Sequence, residues 1–197
     1  MSLSIRLTRE QYDEIEETAN CLFEDLGFTD YPVDPFEVAE RLMIEVKFYS
    51  EIPDSDRDFV VSKFEDGYGV NTLNQKYMIY ICDDMPKKRV LFTLWLEIGH
   101  IQLGHYDQCE KSQALMNTEA KAFAKYCVAP MPFVAELKPQ NSSELADFFN
   151  VSYECAGYIF RAYKNAFLWK EVKNKIRSNR ITKILTFRRR ERFSLNK

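Results

Sequence analysis

Histidine is almost absent from this chain. Of 197 residues only two are histidine, and both lie in one stretch, residues 90–105, which reads VLFTLWLEIGHIQLGH. Any imidazole chemistry must be sought there. The cysteines do not make up the shortfall: Cys21, Cys82, Cys109, Cys127 and Cys155 are widely scattered with no CxxC pair, which suits neither a disulfide framework nor a zinc ribbon. Most are expected to be small core residues, with Cys109 the most exposed. Long apolar runs are missing too, since none approaches the roughly 20 residues needed to cross a bilayer. The opening segment MSLSIRLTREQYDEIEE has no apolar signal core, so the expected location is the cytoplasm, with no membrane partner. There are no internal repeats and no low-complexity segment.

What is there is enough for one sizeable core: 46% of the residues are hydrophobic and 29% charged. The expectation is a single domain over residues 1–169 and a basic tail over 170–197. The net charge of −3 hides this division. From position 170 onward there are 11 basic and two acidic residues, which leaves 16 basic and 28 acidic before it, so the body is near −12 and the tail near +9. Such a tail either binds an acidic partner such as nucleic acid or folds against its own acidic body.

Along the chain, Thr8 caps a helix over residues 8–26 that Gly27 stops. Asp34 and Pro35 begin a short helix over 36–43 that leads into a strand over 44–49. Residues 51–58 are polar and read as a loop. Three short strands follow, over 59–64, 68–73 and 77–82, with the spacing of an antiparallel meander. The stretch 90–104 has apolar residues at helical period and reads as a buried helix. After a polar connection over 107–118, Glu119 opens a further helix ending at Pro130, where an acid in the first turn would be favoured by the helix dipole. Two apolar-periodic segments between 143 and 167 form a helical hairpin or a DNA-reading helix-turn-helix. The second segment is poor in the side chains that read base edges.

The central helix carries the chemistry. The pattern HExxH grips one zinc with two histidines on the same helix face, and its Glu serves as base on the metal-bound water. Here the five letters are LEIGH. Glu97 fills the base position and His100 the second histidine, while Leu96 stands where the first ligand belongs and has no lone pair to give. His105 is about 140° around the helix from His100, and it can substitute for the missing ligand only if the helix ends first, at Gly104.

In order, the stretches PVDPFEVAERLMIEV, KYMIYICDD, RVLFTLWLEIGHIQLGH, EAKAFAKYCVAP and LADFFNVSYECAGYIF resemble the ImmA/IrrE family of metallopeptidase-like proteins over residues 32–160. The family patterns are close to FTLAHELGHxxLGH and EANxFAxxLLMP, and the leading Glu of the second is the third zinc ligand. The resemblance implies an α+β, zincin-like domain: a core over 32–137 with a small antiparallel sheet packed on the active-site helix, then a C-terminal helical hairpin over 138–169. It implies that Glu97 is the catalytic base, His100 and Glu119 are metal positions, Leu96 is a degenerate ligand position and His105 a possible substitute, with Asp107 or a water as other rescuers. Zinc is therefore expected to bind weakly or not at all. Two functions remain open. One is a regulator of a bacterial mobile element or stress response that holds a protein partner, for example a helix-turn-helix repressor, without cleaving it. The other is an active zinc endopeptidase that cleaves such a repressor.

Overall fold

The computed structural model describes residues 5–72, 76–107, 111–168 and 180–187. Helix α1 spans Arg9–Asp25, begun by a reciprocal Thr8/Gln11 capping box and followed by Gly27 at a φ of 68°. A two-residue strand β1, Asp30–Tyr31, precedes α2, Pro35–Arg41, which Asp34 caps by accepting from the Phe36 amide. Strand β2 is Glu45–Phe48.

The next element differs from the expected loop and strand. Residues Asp54–Lys63 form helix α3. The spacing of a meander suggested a strand over 59–64, but acids in the first turn (Asp54, Asp56) and Lys63 in the last complement the helix dipole. Arg57 also ties the helix to the turn before it, donating to the carbonyls of Tyr49, Ser50 and Ile52 at 2.8–3.0 Å. With one strand fewer, the meander is gone. Strands β3, Gly67–Asn71, and β4, Tyr77–Ile81, pair antiparallel, and β2 pairs with β4 in parallel, so the sheet is mixed with the order β2-β4-β3. The parallel pairing follows from α3 and β3 intervening between β2 and β4, a crossover long enough to bring the chain back in the same direction.

Helix α4, Lys87–Gln102, lies on this sheet, and α5, Gln113–Val128, packs along α4. Then come α6, Met131–Leu137, α7, Ser142–Phe148, and α8, Tyr153–Leu168. The core between them is built from Phe23, Ile79, Ile81, Leu94, Ile98, Phe123 and Phe133, each buried, and each such side chain contributes about 1.5–3 kcal/mol. A buried hydrogen bond from the Tyr126 hydroxyl to Asn20, 3.0 Å long, pins α5 to α1.

Most of the basic tail lies outside the described residues. Within it, Ile181–Ile184 forms a short helix α9 and Thr186–Phe187 a strand β5 that pairs in parallel with β1. Arg180 forms ion pairs with Glu17 and Glu24 of α1, so at this point the tail folds against its acidic body. The four cysteines in the described residues are all free thiols: Cys127 is buried in the core, Cys82 and Cys155 are partly buried against core residues, and Cys21 is half-buried. Cys109 lies outside the described residues.

Candidate functional site

Helices α4 and α5 meet at Gly99. A Cβ there would stand 2.9 Å from Phe123 Cδ1 and 3.3 Å from the Ala120 carbonyl, so only a hydrogen lets the two backbones come this close. The close approach buries polar groups from both helices: Glu97 and His100 of α4 are 6% and 7% exposed, and Glu119 of α5 is 4% exposed. A buried polar group without a partner costs about 1–3 kcal/mol. Each of these has one.

His105 enters by the way the helix ends. Gly104 adopts a φ of 67°, its amide donates to the Ile101 carbonyl, and the His105 amide donates to the His100 carbonyl at 2.9 Å. This paired closure of a helix C-terminus through a left-handed glycine lays the residue after the glycine over the last inward-facing turn. The two imidazoles therefore meet, with Nδ1 of His105 3.1 Å from Nδ1 of His100. On its other side, His105 Nε2 lies 3.0 Å from Glu119 Oε2. Lys111, just before α5, donates from Nζ to both Glu119 oxygens, at 3.1 and 2.9 Å.

The donor and acceptor roles follow in sequence. An ionised carboxylate only accepts, so His105 donates to Glu119 from Nε2. A neutral His105 then accepts at Nδ1, and His100 donates to it. Neutral imidazoles fit the surroundings: burial, reinforced by the neighbouring His105, pushes His100 down to about 4, and burial lowers His105 against the opposing pull of Glu119.

Glu97 belongs to a separate arrangement. It accepts from the Tyr106 hydroxyl at 2.9 Å and from the Gly69 amide of β3, and burial pushes its carboxyl up to about 7. Both donors are neutral. A side chain at position 69 would collide with the Tyr106 ring and hydroxyl, so Gly69 is what lets the strand edge reach the carboxylate. The two arrangements adjoin where the Tyr106 and His100 rings lie 6.1 Å apart.

His100 and Glu119, from different helices, are joined through His105. Leu96 is half-buried and packs on the hydrophobic core. Glu119 does not stand in a first turn, because α5 begins six residues earlier under a Ser112 cap, and the helix dipole does not account for it. Asp107 faces Asn71 and the Tyr77 hydroxyl instead, at 3.3 and 3.1 Å. Lys111, Tyr106 and Gly69 were missed. Lys111 lies in a stretch legible only as polar, with no period to single it out, whereas the helix stop at Gly104, on which the place of His105 was expected to depend, is where α4 closes.

A zinc ion at this place would need at least three donors with lone pairs aimed at one point. Leu96 offers none, both Glu119 oxygens accept from an ammonium, and His105 turns a different nitrogen to each neighbour, linking them rather than converging with them. Among the described residues no three His, Cys, Asp or Glu side chains are grouped to hold a metal. The residues present do not fit zinc. A separate cavity of about 520 Å³, lined by Asp34, Phe36, Lys87, Phe92, Trp95 and Asn150 among others, contains none of Glu97, His100, His105, Lys111 and Glu119.

The family model of the IrrE N-terminal-like domain, Peptidase_M78, matches residues 36–160. The chain belongs to this family. The matched span runs from α2 into α8 and includes every residue of the polar arrangement, so an α+β fold of mostly helices with a small mixed sheet is the family's frame for it. No curated protein matches the chain. Among the described residues, no helix is long and apolar enough to cross a membrane.

Proposed function

We propose that this protein is a regulatory member of the IrrE-like family that holds a protein partner without cleaving it and carries no tightly bound zinc. The observation that supports this best is the state of the Glu119 carboxylate, which is held by the Lys111 ammonium while the first-ligand position is Leu96. In a metallopeptidase the metal lowers the pKa of the hydrolytic water to about 7, and neither Leu96 nor a Glu119 engaged by an ammonium offers a free ligand to hold that metal. The partner class we favour is a helix-turn-helix repressor, met in the cytoplasm, as part of a mobile element or a stress response. Nucleic acid binding through the tail is the weaker reading, because Arg180 is already paired with α1.

Elemental analysis of the protein purified without added metal tests the reading, with substoichiometric zinc expected. One tightly held zinc per chain would overturn it. The second reading, an active zinc endopeptidase, requires His105 to leave its contacts with His100 and Glu119 and turn toward a shared metal. It requires cleavage of a repressor that stops on chelation and in Glu97→Gln.

A further inference from the structure

We infer that Lys111 is an internal replacement for the metal ion, and that it closes this site to divalent cations even when the missing first ligand is restored. The inference rests on the non-catalytic reading above and goes beyond it. If Leu96 were the only defect, one substitution would rebuild the site, since Glu97, His100 and Glu119 are already present.

The geometry is against so simple a repair. Glu119 is 4% exposed, and a carboxylate at that depth needs a positive charge beside it. In a metal site the cation supplies that charge. Here the Lys111 ammonium supplies it, touching both oxygens at 3.1 and 2.9 Å, and the Lys111 side chain is itself only 35% exposed. A dication taking up the same oxygens must first displace the ammonium from them. If the ammonium stayed nearby, it would repel the dication, and twice as strongly as it would a single charge at the same distance.

His105 adds a second closure. It occupies the remaining face of Glu119 Oε2 with Nε2 and holds the His100 imidazole through Nδ1. The whole chain from His100 to Lys111 thus satisfies its own charges and hydrogen bonds with no ion. To admit a metal, the site must displace Lys111 from Glu119 and turn His105 away from its neighbours.

The test is zinc binding by isothermal titration calorimetry on the full chain, comparing the unaltered protein with Leu96→His, Leu96→His/Lys111→Met and Leu96→His/Lys111→Arg, each checked for folding by circular dichroism. Leu96→His alone should stay weak, and the Lys111→Met double variant should bind about 100-fold more tightly than it. The Lys111→Arg double variant, which keeps the charge, should remain as weak as Leu96→His. Sub-micromolar binding by Leu96→His alone would overturn the inference whatever the double variants do. So would equal binding by the Met and Arg double variants, since charge would then not be the barrier. Should Lys111→Met not fold, Lys111→Gln, which keeps a neutral donor to Glu119, replaces it under the same criteria. Failure of the non-catalytic reading is seen separately, as zinc already present in the unaltered protein.

Discussion

Glu97 and Glu119 make a controlled comparison within one molecule. Both are carboxylates, both are more than nine-tenths buried, and they come from adjacent helices. Glu97 meets only the neutral donors Tyr106 and Gly69, and its carboxyl is pushed up to about 7. Glu119 meets the Lys111 ammonium on both oxygens and His105 on one. Burial is shared, so the difference lies in the partner. One carboxyl is left poised to exchange a proton near neutral pH, and the other is fixed in an ion pair.

The strongest way to break this comparison is to part the helices. Gly99→Val would drive a branched side chain into Phe123 and the Ala120 carbonyl, and overpacking of that kind costs about 3 kcal/mol. Chemical denaturation should show that loss. The imidazole resonances of His100 and His105 should move with it, because Glu119 is carried away on α5.

Next in size is removal of the cation. Lys111→Met leaves Glu119 buried without a counter-charge and should cost about 2 kcal/mol, less than a fully buried pair because Lys111 is partly exposed. Glu119→Gln should cost less than Lys111→Met, since the freed ammonium can reach water. Equal losses in thermal melts of the two variants would show that the carboxylate does not depend on Lys111.

The third prediction uses the sign of the Glu97 shift. A folded value of about 7 against the ordinary 4.5 means that the folded state holds a proton the unfolded chain has lost. This contribution to stability is complete below 4.5 and disappears as pH rises through 7. Glu97→Gln removes the burden of ionisation, so its stability relative to the unaltered protein should rise between pH 5 and pH 8, by about 2–3 kcal/mol. His100 acts in the opposite sense. Its folded value of about 4 lies below the ordinary 6.5, so stability is lost as pH falls through that interval, and Glu97→Gln should expose this acid sensitivity more clearly. A pH-independent difference between the two proteins would remove the contrast between the carboxylates.

The smallest effect concerns His105. Gly104→Ala forces a Cβ into the left-handed region at a φ of 67° and should cost about 1 kcal/mol. Loss of the hydrogen bond between the two imidazoles, read from their ring proton shifts, should accompany it.

What the amino-acid order determined by itself is local. The helical period of residues 90–104 marked α4, the spacing inside LEIGH put Glu97 and His100 on a buried helix, and Leu96 announced a missing donor, all because helix geometry fixes which near neighbours share a face. Caps at Thr8 and Asp34 were equally legible, since each depends on residues two or three positions away. Residues 59–64 misled, because the spacing of short apolar runs is a weak signal that charge placement and the Arg57 contacts outweigh. The sheet's mixed pairing and the junction of His100, His105, Glu119 and Lys111 were decided only by tertiary structure. Which cation meets Glu119 depends on how closely α4 and α5 pack at Gly99 and on the path of the connection between them, and neither is written in any short-range pattern.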